Sequence, residues 1–534
     1  MFRSRLVFPA IAAMLLIEAC SGGSGTTPSA VVPGQPASGP RLVDSGISRP
    51  RFLRLMRIPN HPPPHKHQIT GAMRARARAG GWQQISSVPA FTNGPQTELL
   101  MTDGTVMVQD YCTQNWFKLT PDQNGNYATG TWSATGQLPS GYGPLYFASA
   151  VLADGKLIAN GGEYNGTSCS GVETPLGAIY DPVANTWTSV TGPSGWSRIG
   201  DAQSVVLSNN TYMLGNCCYQ TQALLDESAM TWTQIGTGKN DPNSEEGLAL
   251  LPNGDVLTVD VTSTPNSEVY VPSANAWQSA GTVPVQLVSG FEIGPETLRP
   301  DGTVWVAGAT GNSAIYNTHS GTWAAGPTFP SISGQQYDVA DGPSSLLPNG
   351  WVMVPASPGL YQTPSLFYIF NGKTLKNIPA PPDAPNDSSY NVRLLLLPTG
   401  QILEDDGSTD IEIYTGPRRV DHRWAPVIDR VKTMLTHGQT YKISGRRFNG
   451  ASQANMYGDD VQQATNYPLV RITNNATGHV FYCRTHGTSF MGVQVRRKKV
   501  STFFDVPSTI ETGASTLVVV ANGIPSQAVN VTVQ

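Results

Sequence analysis

The 534-residue chain carries 33 Lys/Arg and 37 Asp/Glu, a charged fraction of only 13%, with 55 Gly and 42 Pro; that balance suits a turn-rich β protein and disfavours a helical one. The net charge of −4 conceals a partition: residues 1–80 hold 11 basic and 2 acidic side chains, 81–416 hold 8 and 29, and 417–534 hold 14 and 6. An acidic middle segment argues against nucleic acid as its ligand, because phosphates are repelled; it suits cations, neutral sugars or the basic C-terminal segment docking on it.

From the N-terminus, Arg3 and Arg5 precede an apolar run over 6–17, and Ile17-Glu18-Ala19-Cys20 is followed by Ser/Gly-rich sequence. Residues 1–20 therefore read as an export signal too short to span a bilayer. Its end resembles a bacterial lipobox, which would make Cys20 a lipidation site and tether the protein to a membrane; plain secretion is the alternative. Residues 21–79 read as a linker, small and polar at first and then basic from 47 on, where Arg49, Arg51, Arg54, Arg57, Lys66, Arg74, Arg76 and Arg78 occur without an acid. That basic stretch is either a contact for anionic lipid or cell-wall polymer or a solvated linker. The expected setting is the cell envelope or the extracellular space, and the expected state a monomer.

Residues 80–416 repeat one unit. Turn pairs recur at Asp103-Gly104, Asp154-Gly155, Asn209-Asn210, Asn253-Gly254, Asp301-Gly302, Asn349-Gly350 and Thr399-Gly400, spaced 44 to 55 residues apart, each between two apolar runs. Such pairs supply the positive φ angles of a tight hairpin. A Tyr/Trp pair seven residues apart recurs as Tyr180/Trp187, Tyr270/Trp277 and Tyr316/Trp323, weakened to Leu225/Trp232 and Tyr368/Leu375. A lone four-stranded sheet leaves both faces wet, so the units must stack, and a period near 50 residues is that of kelch-type propeller blades. The last unit ends at IEIYTG (411–416) without its Trp, whereas GGWQQI (80–85) brings Trp82 ahead of the first turn. The sequence thus predicts a seven-bladed kelch β-propeller closed by its N-terminal strand.

After Pro417 the strands are expected at 440–448, 467–473, 479–485, 500–507 and 515–523, an immunoglobulin-like sandwich over 417–534. The fold class is therefore all-β. Apart from Cys20, the cysteines suit an oxidising compartment: Cys112 and Cys169 follow the second strands of neighbouring blades and make a plausible bridge. Cys217 and Cys218, adjacent in sequence, form a vicinal disulfide or stay reduced, and Cys483 lies in an apolar strand.

A kelch propeller followed by an early-set immunoglobulin-like domain resembles the galactose oxidase and glyoxal oxidase family. The segments SSYNVRLLLLPTG (388–400), RTHG (484–487) and VVVANGIPS (518–526) look like that family's last-blade, Thr-His and closing segments. The resemblance implies a copper held by two tyrosines and two histidines, one tyrosine crosslinked to a cysteine. Residue by residue, Tyr390 stands at the axial tyrosine and His486 at the sandwich-domain histidine; Asn391 stands where the other histidine belongs, Asp201 at the crosslinked tyrosine and Ala148 at its cysteine. Copper-radical chemistry is not expected from this set, because the thioether cannot form and Asp and Asn are harder ligands. The closer likeness is to bacterial kelch proteins of this architecture that lack the radical site. His486 is expected to enter the propeller channel from the far face and meet Tyr390.

Counting back eight residues from each turn reaches the mouth of each inner strand: Pro95, Tyr146, Asp201, Glu245, Ile293, Asp341 and Asn391. Glu98, Glu246, Glu292 and Glu296 lie close by in sequence, and the second strands return Asp110, Tyr111, Glu163 and Tyr164 to the same face. Like charges this close raise one another's pKa unless satisfied; Ca²⁺ is one resolution, and backbone N–H groups are the other. Tyr111, Trp116, Tyr142 and Tyr146 offer a sugar-stacking platform or simply pack under their loops. The function expected is binding of extracellular carbohydrate or another cell-surface polymer. The alternatives are a divergent carbohydrate-active enzyme with Asp201, Glu245 or Asp341 as acid and base, and an envelope scaffold for partner proteins.

Overall fold

The computed structural model describes residues 71–534 apart from 218, 361, 418, 458–461 and 496. The export segment with Cys20, the basic stretch before residue 71, and Cys218 lie outside the described residues. No helix within them is long and apolar enough to cross a membrane.

Among these residues, seven antiparallel sheets, each with four strands of its own, run in sequence from Pro95 to Tyr414; the sixth gains Asn455–Met456 as a fifth strand and the last takes Trp82–Gln84 as its outermost strand. The first strand of each sheet is buried throughout, as in Pro95–Leu100, Ala148–Val151 and Arg393–Leu396. These inner strands pack on one another around a ring that returns to its start, with Pro95–Leu100 lying against both Ala148–Val151 and Arg393–Leu396. Closure follows from pairing of Trp82 with Tyr414, Gln83 with Ile413 and Gln84 with Glu412. The Tyr/Trp pairs explain themselves in the same register. Tyr180 lies opposite Trp187, Tyr270 opposite Trp277 and Tyr316 opposite Trp323, with ring centroids 5.0–5.5 Å apart. Tyr414 finds its missing partner in Trp82 at 5.0 Å. The sixth sheet departs from expectation: Tyr368 faces Asn377, and Phe370 is the residue opposite Leu375.

The seven turns share one chemistry, different in detail from a two-residue hairpin. Only the second residue of each pair has positive φ, from 76° at Asn210 to 92° at Gly254. Its N–H bonds back three residues, as from Gly155 to the Leu152 carbonyl at 2.9 Å, while Leu152 N–H reaches the Lys156 carbonyl at 2.8 Å. This is a type I turn closed by a left-handed residue. The Asp or Asn before it contributes its side chain: Asp103, Asp154, Asn209, Asn253, Asp301 and Asn349 each accept the N–H two residues on through Oδ1, at 2.9–3.2 Å. Local side-chain bonding of this kind is why Asx residues select turns.

The C-terminal unit has a core of its own around Ile443, Val470, Cys483, Phe504 and Val519. Its strands Val427–Arg430, Thr440–Arg446, Lys499–Asp505, Val480–His486, Leu469–Asn474, Gly513–Ala521 and Val529–Val533 are neighbours in that order. The unit docks on the face that carries the seven turns. Arg484 Nη2 donates to the Asp154 carbonyl at 2.9 Å, Thr488 N–H to Ala153 at 3.0 Å, and Asn210 Nδ2 to Thr488 at 2.7 Å. A Cβ at Gly155 would stand 2.7 Å from the Thr485 carbonyl, so this glycine serves both the turn and the docking.

Residues 71–79, expected as linker, form a helix, Gly71–Ala79, held by Arg74 Nη1 to Asp410 Oδ1 at 2.8 Å and by burial of Ala77. Cys112 and Cys169 are joined by a disulfide, with Cα atoms 5.3 Å apart.

Candidate functional site

The mouth lies on the face opposite the turns, where the inner strands begin. Backbone geometry there is unusual. Tyr146, Glu245 and Asp341, three residues of the eight-before register, have φ of 52°, 45° and 48°, and Phe291, two before Ile293, has 69°. Non-glycine residues adopt this region only when their surroundings impose it, and such positions cluster at binding sites. The conformation turns the side chains together: Glu245, Glu292 and Asp341 place carboxylate oxygens within 4.8 Å of one another, all buried. Asp201 is buried at 2% exposure but stands outside this trio; its N–H is held by Glu173 Oε2 at 3.3 Å. Glu292 was legible only as a neighbour of Ile293, because the Gly290–Phe291 kink shifts the register by one.

The other sequence-derived candidates separate into three outcomes. Tyr146 and Glu163 sit at the mouth, bonded through Glu163 N–H to the Tyr146 carbonyl at 2.9 Å, and the Tyr146 ring lies 6.0 Å from that of Tyr164. With Tyr111, Leu145 and the Cys112–Cys169 bridge, Tyr146 and Tyr164 form one small apolar cluster. Burial, then Asp110 and Tyr390, raise the Tyr111 phenol well above its usual range. Trp116 and Tyr142 belong instead to the interior; Trp116 packs on Trp187 at 5.2 Å and Tyr142 donates to the Gly161 carbonyl at 3.0 Å. Asp110 is consumed structurally, accepting N–H from Thr92, Asn93 and Gly94 at 2.9–3.2 Å. Asn391 is likewise occupied, its Oδ1 accepting from Ser388 N–H and Oγ at 3.2 Å.

His486 does not meet Tyr390. Its loop binds the turn face, opposite the mouth, and its Nε2 lies 3.1 Å from Asp505 Oδ1 while the ring stacks on Phe503. A different part of the C-terminal unit, residues 449–457 and 462–467, enters the channel. It bonds to inner strands of four sheets: Gln453 Oε1 accepts Leu250 N–H at 2.7 Å, Ala454 O accepts Leu346 N–H at 2.8 Å, Asn455 Oδ1 accepts Leu396 N–H at 2.9 Å, and Gln463 Nε2 donates to the Glu98 carbonyl at 2.6 Å. Tyr457 reaches Tyr390, donating its hydroxyl to that residue's carbonyl at 2.6 Å, and lies under the Arg393 guanidinium, 4.3 Å from the ring centroid. Of the positions that the resemblance aligns with copper ligands, His486 thus lies beside Asp505 on the turn face, away from Tyr390, and Asn391 is bonded to Ser388.

Two more carboxylates near the mouth are held up by burial, Asp260 despite the nearby Lys239. Burial, then Glu268 and Asp241, push Asp260 up to about 7, and burial pushes Asp338 up to about 8 against the Ala340 N–H that it accepts. A carboxyl whose folded pKa is raised binds its proton more tightly in the native state. Its contribution is complete below about pH 4 and is lost as pH rises through about 7 to 8. We expect the Tm of the wild type to fall between pH 5 and pH 9 by more than that of Asp260→Asn/Asp338→Asn, followed by thermal unfolding at fixed ionic strength; parallel profiles for the two proteins contradict this assignment.

No protein-family model matches the chain. A curated relative, the kelch-like protein terF of Aspergillus terreus, is 31% identical over 115 residues, 22% of this chain and 23% of its own; the chain thus spans about a quarter of that relative's length. The fold is that of a β-propeller, and over those 115 residues the sequence is similar to that of a kelch-like protein. Among solved structures, a copper-complexed fungal alcohol oxidase of the AA5 family is similar over 85% of this chain and 99% of its own, at 14% identity and a TM-score of 0.48. A virginiamycin B lyase from Staphylococcus aureus is similar over 63% and 99%, at 10% identity and a TM-score of 0.45.

Proposed function

We propose that this protein is an exported, seven-bladed kelch propeller with an immunoglobulin-like C-terminal domain that binds extracellular carbohydrate or a related cell-surface polymer at its mouth, without copper-radical chemistry. The observation that carries the reading is the convergence of Glu245, Glu292 and Asp341 within 4.8 Å on the face that also holds Tyr111, Tyr146 and Tyr164. Carboxylates accept hydrogen bonds from sugar hydroxyls, and charge-assisted bonds of that kind are worth about 1.5–3 kcal/mol each. Tyrosine faces supply apolar area with a polar edge. The clustered negative charge favours hydroxyl-rich or amine-bearing glycans over sulfated or phosphorylated ones. The absence of redox chemistry rests on the residues themselves, since Asp201, Ala148 and Asn391 cannot supply the crosslinked tyrosine and second histidine.

The test is a glycan array followed by titration calorimetry of the leading polysaccharide against the full chain. Glu245→Gln and Asp341→Asn are each expected to weaken binding roughly tenfold or more while leaving Tm within a few degrees. Unaltered affinity in both variants removes the mouth as the site. Peroxide release from copper-loaded protein supplied with sugars or polyols overturns the non-redox reading.

A further inference from the structure

A second group of carboxylates lies away from the mouth trio, at the junction between the sixth and seventh sheets. Asp383 and Asp387 belong to the connection between Leu375–Ile378 and Arg393–Leu396, and Asp406 directly follows Ile402–Asp405, the second strand of the closing sheet. Their carboxylate oxygens come within 4.8 Å of one another, and all three residues are buried, at 1%, 1% and 6% exposure. Three like charges in so small a dry volume are unstable unless a cation or protons compensate them.

Two further observations point to a cation. No N–H or hydroxyl of the described residues donates to either oxygen of Asp387, whose side chain meets only the Asp406 carboxyl, a contact that needs a shared proton or a cation between them. Glu404, fully buried beside Asp406 and Asp387, is equally without a donor at both oxygens. Asp383 and Asp406 are meanwhile oriented, Asp383 by Asn386 Nδ2 at 2.6 Å and Asp406 by Ser408 N–H at 2.8 Å. Of the basic groups at the closing sheet, Arg74 is engaged with Asp410 at 2.8 Å and Arg393 acts on Asp405 and Glu98. Partly oriented carboxylates around one that lacks any donor is the arrangement of an oxygen-only ligand set, which suits a hard divalent ion rather than zinc or copper.

We infer that Asp383, Asp387 and Asp406, backed by Glu404, form a calcium site that fastens the last inter-sheet connection to the ring-closing sheet. Burial and mutual repulsion raise Asp387 and Glu404 well above the carboxylate range and Asp406 to about 6, which is the electrostatic cost that a bound cation offsets. The site is distinct from the mouth trio, and its role is structural, since the ion ties the connection at Asp383–Asp387 to the strand whose neighbour, Glu412–Tyr414, receives the N-terminal strand.

The experiment uses the full chain stripped with EDTA and titrated calorimetrically with CaCl₂, alongside thermal unfolding with and without the ion. Wild type is expected to gain several degrees in Tm at saturating Ca²⁺. Asp387→Asn is expected to lose that gain and to weaken this binding event at least tenfold, with an EDTA-state Tm within a few degrees of wild type because the amide replaces a carboxyl that keeps its proton when no ion is bound. Glu245→Gln, at the mouth, is expected to keep both. Asp406→Asn provides an independent arm should Asp387→Asn fold poorly. A wild type indifferent to Ca²⁺, or isotherms for Asp387→Asn and Asp406→Asn that superimpose on it, overturns the assignment.

Discussion

Trp82→Ala is expected to lower the unfolding free energy by about 3–5 kcal/mol, the range for removing a large aromatic side chain from a well-packed interior. Trp82 is 1% exposed and packs edge-on to Phe367 at 5.3 Å and against Tyr414 at 5.0 Å, while its indole N–H donates to the Pro379 carbonyl at 2.7 Å. It therefore joins three things at once: the N-terminal strand, the third strand of the seventh sheet and the end of the sixth. The alanine variant leaves a cavity at the ring seam and an unpaired carbonyl, and it frees the Glu412–Tyr414 edge to pair elsewhere. Trp82→Phe keeps most of the apolar area and loses the hydrogen bond, so a loss of about 1 kcal/mol is expected from it. Denaturant midpoints read both. A Trp82→Ala midpoint within error of the wild type would mean that the seam is held by something other than this residue.

The ring was legible because its determinants are local. An Asx side chain that bonds its own backbone two residues on, followed by a residue that tolerates positive φ, marks a turn wherever it occurs, and six such turns, with Thr399-Gly400 in the same phase, count the sheets. The Tyr/Trp spacing was legible for the same reason, since a short turn places residues seven apart opposite each other; it misled at Tyr368 because the sixth sheet's turn, of the same length, is centred one residue later, so that Ile369 lies opposite Lys376 and Phe370 opposite Leu375. In the first sheet the loop around Asp122 lengthens the connection, so Leu119 pairs with Trp132 thirteen residues on, out of reach of that spacing. The mouth carboxylates Glu245 and Asp341 followed from the turn register alone. What the sequence did not disclose was the plug. Residues 449–467 are rich in Asn, Gln, Ser and Gly, a composition that reads as an exposed loop, and only the channel's unpaired backbone groups make those amides interior residues. The Thr-His segment drew attention to His486 instead, although its neighbours bind the turn face.

Asn455→Ala tests that plug. Asn455 is 1% exposed, accepts Leu396 N–H at 2.9 Å and Ser345 Oγ at 2.7 Å through Oδ1, and donates from Nδ2 to the Gln463 carbonyl at 2.9 Å. Its backbone also pairs with Ser345, so that the Asn455–Met456 strand extends the sixth sheet. Alanine keeps the strand pairing and strips the side-chain bonds, leaving a backbone N–H, a hydroxyl and a carbonyl buried without partners. Stranded groups of this kind cost about 1–3 kcal/mol each when no water replaces the lost partner, so a loss of about 2–5 kcal/mol is expected, an effect as large as that at the ring seam from a single polar side chain. All of the 11 tryptophans except Trp424 lie before residue 417, so tryptophan fluorescence follows the propeller and far-UV circular dichroism follows both units. In the wild type the channel bonds and the turn-face contacts join the two, and their melts should coincide. In Asn455→Ala the fluorescence transition should move to lower denaturant by more than the dichroism transition does. Coincident, unshifted transitions would show that the turn-face contacts alone unite the propeller and the C-terminal unit, and that the amides in the channel fill space without holding it.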